Sequence, residues 1–199
     1  MEISATMVKE LREKTGAGIM DCKEALSAAE GSIENAVDYL RKKGLQSADK
    51  RSSRATREGV IHSYIHGGGR LGVLVEVNCE TDFVARTDDF QELCRDLGMQ
   101  IAASNPEYVS VEQVPADAIA KERSILEEQA RQAGRPENVI AKIVDGRLQK
   151  YYQDVCLLEQ PFVKETGKTV NDVLRENIAR LGENISVARF ARFVLGGSG

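Results

Sequence analysis

The stretch VIHSYIHGGGRLGVLVEVN, Val60 to Asn78, decides the fold class. Two runs rich in Val, Ile, Leu and Tyr flank Gly67-Gly68-Gly69-Arg70. β-branched and aromatic residues suit a pleated, half-buried surface, so the pattern predicts a β-hairpin closed by a glycine turn. A phosphate-cradling loop would place its glycines before a helix and follow them with Lys-Ser/Thr. Here they lie between two strands without that sequel, so the hairpin carries no nucleotide site. The second strand leaves through CETDFVAR, Cys79 to Arg86, where Phe83 stands among two acids and a hydroxyl. A large aromatic in a polar exit either tucks under its own sheet or is meant for another surface.

Upstream of the hairpin the pattern is helical. Ser4 suits an N-cap for a helix carrying Met7, Val8 and Leu11, and Gly16 suits the left-handed position that closes it. Ile19, Cys22, Leu26 and Ala29 recur at spacings of three and four, a second helix ending at Gly31. Ser32 caps a third with Ile33, Ala36, Val37 and Leu40 inward, and Gly44 is its expected stop. Three such stripes can bury one another, giving a three-helix, UBA-like module over residues 1–44. In 45–58, Lys50, Arg51, Arg54 and Arg57 sit among Ser and Ala with no apolar face. This reads as a solvated linker or an extension of the third helix; Asp49 and Glu58 dilute any phosphate-binding character.

Residues 59–199 form the expected α+β core with an antiparallel sheet. Phe90, Leu93, Cys94, Leu97 and Ile101 make one helical stripe after CETDFVAR. Residues 116–133 (Ile119, Leu126, Ala130, Ala133) and 137–158 (Ile140, Val144, Leu148, Tyr151, Val155, Leu158) are separated by Gly134-Arg135-Pro136. The later positions repeat at four and three, which is coiled-coil spacing, so 116–158 is expected as an antiparallel, projecting helical hairpin. Thr169 caps a last helix, and ISVARFARFVLG, 185–196, is a strand able to join the hairpin.

Composition removes several function classes. A net charge of −4 argues against a broad nucleic-acid footprint, which needs clustered cations. The amino terminus is charged where a signal peptide needs an apolar run, and the chain has no apolar run long enough to span a bilayer, so the expected location is cytoplasmic. Cys22, Cys79, Cys94 and Cys156 are scattered, as in reduced intracellular chains. His62 and His66 are the only histidines. With Cys79 they bring a zinc site or a Cys–His nucleophile to mind, but neither the ligand spacing nor an oxyanion hole is marked. No catalytic or metal-ligating set is therefore assigned, and no cofactor is expected.

Two segments resist a bland reading: LREKTGAGIMDCKEAL, 11–26, and VNCETDFVAR, 77–86. The dull account makes the first a tight helix–turn–helix with Ile19, Cys22 and Leu26 in the core, and the second a strand-to-helix loop. Both closely resemble the two signature segments of the elongation factor Ts family. QPFV (160–163), KTV (168–170) and ISVARFARFVLG are similar to later landmarks of that family, so the likeness spans the chain. It implies a non-enzymatic guanine-nucleotide exchange factor for the GTPase elongation factor Tu. It implies that Thr81, Asp82, Phe83 and Val84 disturb the GTPase's Mg²⁺ region, and that Ile19, Met20 and Lys23 dock the amino-terminal module. With one hairpin unit the chain resembles the short, single-core form, for which a homodimer through the core sheet is expected. The competing reading is a general interaction module whose helices bind another protein, such as a ubiquitin-like surface, with no effect on nucleotide.

Overall fold

A computed structural model describes residues 3–197. Its mixture of helices and small antiparallel sheets is the α+β class expected from the hairpin signal. The chain forms two compact units. One comprises the chain up to Gly59 together with Asn78–Gln91 and Leu174–Ser186; the other comprises Val60–Val77, Glu92–Val173 and the chain from Val187 onward.

The first unit opens with α1 (Ala5–Thr15), α2 (Ile19–Ala28) and α3 (Ile33–Arg51). The Ser4 hydroxyl accepts from the Met7 N–H at 3.3 Å, and Gly16 closes α1 at φ 67°, donating its N–H to Arg12 O. α2 leaves through Glu30 and Gly31, both at positive φ, and Ser32 caps α3 through the Asn35 N–H. Val8, Leu11, Cys22, Ala25, Leu26 and Ala36 form one buried cluster. Ile19 is not part of it: at 52% exposure it lies outside the stripe expected to bury it. It occupies the first residue of α2, whose inward face begins only at Cys22.

Gly44 does not stop α3, which continues through 45–51. That segment contains no Pro and no β-branched residue, and Ala48 is buried. A Cβ at Gly44 would meet the Ala179 Cβ at 3.0 Å, so this glycine serves close approach to α8 (Val170–Leu181). Arg41–Glu176 and Arg175–Asp49 ion pairs run along the same two helices.

The second unit holds a three-stranded sheet in the order β1 (Glu58–Ile65), β2 (Leu71–Cys79), β5 (Ile185–Val194). Gly67–Gly69 form the turn between β1 and β2, with the His66 N–H on Leu71 O at 2.9 Å. The Leu195 N–H donates to Arg70 O and Arg189 pairs with Glu76, so β5 runs antiparallel to β2. Val73, Val75 and Val77 are buried while Leu74 between them is exposed. α5 (Asp88–Ser104) buries all five residues of its expected stripe. Gly98 in mid-helix lets β1 close: a Cβ there would lie 2.8 Å from the Tyr64 Cβ.

α6 (Ala116–Gln132) and α7 (Glu137–Val155) form the helical hairpin, turning at Gly134 (φ 69°). Leu126, Ala130, Ile140, Val144 and Leu148 make its seam, and Arg123 reaches Asp145 across it at 3.1 Å. Ala133 is exposed, and α7 ends three residues before the expected 158. There Cys156 leaves the helix to bridge Tyr108, which an α-helical backbone could not do. A second, unforeseen hairpin follows, β3 (Pro161–Phe162) with β4 (Glu165–Thr169). Buried Gln100 organises it, donating to Gln160 Oε1 and Pro161 O and accepting from the Val163 N–H at 2.8 Å. α8 starts with reciprocal caps between Thr169 and Asp172.

Candidate functional site

The exit from β2 is a short, fully tied turn within the first unit. Cys79 is buried and its Sγ donates to Thr81 O at 3.1 Å. Residues Asp82–Ala85 then make one helical turn, α4, capped by the Thr81 hydroxyl, which accepts from the Val84 N–H at 3.4 Å. The Thr87 hydroxyl donates to Val84 O and also accepts from the Phe90 N–H, capping α5. Gln91 donates to Ala85 O at 2.7 Å, and Arg86 pairs with Asp82 at 2.8 Å. Polar groups on both flanks of the turn are thus used internally.

Phe83 is the side chain left over. It is 78% exposed at the crest of α4. Thr81, Asp82 and Val84 are half-buried beside it. Of the two options for an aromatic in a polar exit, tucking under its own sheet is the one not taken.

A pair of residues absent from the sequence-derived set holds the turn from below. The Glu183 carboxylate accepts the Glu80 N–H (3.1 Å), the Thr81 N–H (3.0 Å) and the Thr81 hydroxyl (2.6 Å). In return, Glu80 Oε1 accepts the Asn184 N–H at 2.6 Å, and Arg54 lies 3.4 Å from the same oxygen. The Asn184 N–H, then Arg54, hold the Glu80 carboxyl below the usual carboxylate range. Asn184 is buried and its side-chain amide donates to Ser52 O and Arg54 O, the segment that follows α3. Nothing local in GEN, 182 to 184, separates this clasp from an ordinary turn, because its partners lie about a hundred residues away.

The other sequence-derived residues sit on the first turns of α2, in the same unit. Met20 is 74% exposed, and Ile19 and Lys23 are exposed beside it. Their presentation follows from the Gly16-Ala17-Gly18 turn: Gly16 needs its left-handed φ, and a Cβ on it would also crowd Arg180 at 3.3 Å. Below them Lys43 joins Asp21 (3.0 Å) and Glu24 (2.7 Å), which raises the Lys43 ammonium and lowers the Glu24 carboxyl.

The catalytic candidates look different in their settings. None of the four cysteines forms a disulfide, and all are buried. Burial, then the nearby Glu183 charge, pushes the Cys79 thiol up, and burial raises Cys156 to about 11, both away from thiolate. Burial, then Arg95, lowers His62, while His66 meets the Tyr64 hydroxyl at 3.1 Å. Among the described residues no group of three or more His, Cys, Asp or Glu could hold a metal ion, and no helix is long and apolar enough to cross a membrane.

Residues 5–197 match the family model described as Elongation factor TS. The chain is 57% identical over 194 residues to the elongation factor Ts of Heliobacterium modesticaldum, covering 98% of this chain and 90% of that protein. For the elongation factor Ts of Moorella thermoacetica the identity is 58% over 194 residues, with 98% and 96% covered. For that of Desulfosudis oleivorans it is 57% over 194 residues, with 98% of each chain covered.

Proposed function

The chain belongs to the elongation factor Ts family, and from that premise we propose that it is a guanine-nucleotide exchange factor for elongation factor Tu, acting in the cytoplasm without chemistry of its own. A GTPase holds GDP through backbone amides on the phosphates and a Mg²⁺ that bridges phosphate and protein oxygens. An exchange factor has only to bind the nucleotide-free conformation better than the loaded one. By linkage, nucleotide and factor then weaken each other by the same factor, and release follows through a loosely held ternary complex.

In this reading Phe83 wedges into an apolar gap of the GTPase beside the Mg²⁺ region, with Thr81, Asp82 and Val84 around it. Ile19, Met20 and Lys23 dock the amino-terminal helices elsewhere on the same GTPase. The observation that carries the reading is the exposure of Phe83 on a turn whose neighbours are otherwise hydrogen-bonded. An aromatic that finds no burial at home gains it at an interface, where such anchors are worth about 2 kcal/mol or more. Catalytic amounts of the protein should therefore accelerate loss of a fluorescent GDP analogue from elongation factor Tu. Phe83→Ala, folded by circular dichroism, should slow that release roughly 30-fold. Unchanged release from the folded variant removes Phe83 from the mechanism. The proposal also includes a homodimer formed on the core sheet.

A further inference from the structure

The clasp beneath the exchange turn serves that turn's function. We propose that Glu183 is a positioning residue for nucleotide exchange: its carboxylate fixes the Thr81–Val84 turn so that Phe83 is presented in one orientation. This rests on the reading of Phe83 as the wedge.

Three observations support it. First, one carboxylate serves consecutive backbone N–H groups and the capping hydroxyl, at 3.1, 3.0 and 2.6 Å. A carboxylate can do this because it only accepts and has about four lone-pair sites. Second, the Thr81 hydroxyl that donates to Glu183 also accepts the Val84 N–H, so the hold on residue 81 passes into the turn that carries Phe83. Third, the arrangement is reciprocal, with Glu80 accepting the Asn184 N–H while Asn184 ties down Ser52 O and Arg54 O. α4 is a single turn of Asp82–Ala85, too short to be stable on its own, so its geometry has to be imposed from outside. A wedge that is already oriented loses less freedom on binding than one that must be ordered at the interface.

Glu183→Gln tests this with little change of shape. Gln keeps one acceptor oxygen but turns an NH₂ toward groups that are themselves donors. In the folded variant, hydrogen exchange of the Thr81 and Val84 amides should quicken at least about ten-fold, while the α5 amides of Leu93–Ile101 keep their protection. The maximal rate of GDP release from elongation factor Tu should fall about ten-fold, and the half-saturating concentration should move less than about two-fold, because docking through α2 is intact. A general loss of stability would instead loosen α5 as well. Unaltered loop protection, or an unaltered maximal rate, overturns the proposal. Phe83→Ala run in parallel separates the two levels. If Phe83→Ala is also silent, the wedge reading fails, and the amide exchange still reports whether Glu183 holds the turn. Should Glu183→Gln not fold, Glu183→Asp, one methylene shorter with its charge kept, takes its place with the same expectations. If neither folds, Glu183 is a stability residue and the proposal falls.

Discussion

Glu80 and Glu183 divide the work of one junction, and the protonation of Glu80 sets how it responds to acid. Glu80 accepts the Asn184 N–H and faces Arg54, so its folded carboxyl releases its proton more readily than an unfolded one. Its contribution to stability is complete above the unfolded value, about 4.3, and is lost as pH falls through the lower folded value. Glu80→Gln should therefore be less stable than the parent at neutral pH, with the difference closing below about pH 4. Urea midpoints taken from pH 7 down to pH 3 check this; a gap that stays constant would deny the carboxylate its role. At this scale the sequence was only half legible. Phe83 stood out because a large apolar ring was misplaced in a polar exit. Glu183 and Asn184 were invisible because a turn residue declares itself as acceptor or donor only when the fold delivers its partners from far along the chain. Ile19 failed in the opposite direction: its spacing matched the buried stripe, but its place at the first position of α2 put it outside.

At the scale of elements, periodicity was a good guide and glycine an ambiguous one. The stripe of α5 buried as its spacing required. Of the four–three repeat, Val144 and Leu148 entered the α6–α7 seam, while Val155 joined a separate cluster with Val114 and Cys156 and Leu158 fell beyond the helix. Gly44 had the local signature of a stop, yet its function is contact with Ala179, which only tertiary structure supplies. The β3–β4 hairpin was missed because its two strands are very short and its main organiser is a glutamine in a helix sixty residues away. Two glycines now separate intrinsic propensity from packing. In α7, a Cβ at Gly146 would meet nothing within 4 Å, so Gly146→Ala should stabilise by about 0.5–1 kcal/mol. In α5, a Cβ at Gly98 would press on the Tyr64 Cβ at 2.8 Å, and both atoms are fixed to backbone. The overpacking cost of about 1–3 kcal/mol exceeds the propensity gain, so Gly98→Ala should destabilise. Equal shifts of the urea midpoint in the same direction would refute the close-approach account.

For the whole molecule, the sheet of the second unit poses the remaining question, since one of its faces lacks cover. Pairing of His66 with Leu71, and of Arg189 with Glu76, sets the rows on that face. Ile65, Gly72 and Phe193 form one row, Ser63, Leu74 and Ala191 the next, and Ile61 with the Glu76–Arg189 ion pair the last. Ile61, Ile65, Leu74 and Phe193 are all exposed there, while Val73, Val75 and Val77 turn the other way and are buried. Contiguous apolar surface on an open sheet marks an interface, and a flat apolar face is complementary to a two-fold copy of itself. The Glu76–Arg189 pair at the end of the rows can be matched by its own reversed image across such an axis. The occupant consistent with the proposed homodimer is thus a second chain packed face to face. Light scattering at micromolar concentration should give the mass of two chains for the parent. Leu74→Glu combined with Phe193→Glu should give the mass of one, because each dimer would then bury four uncompensated carboxylates. A parent that already scatters as a single chain would leave this face without a partner of its own kind.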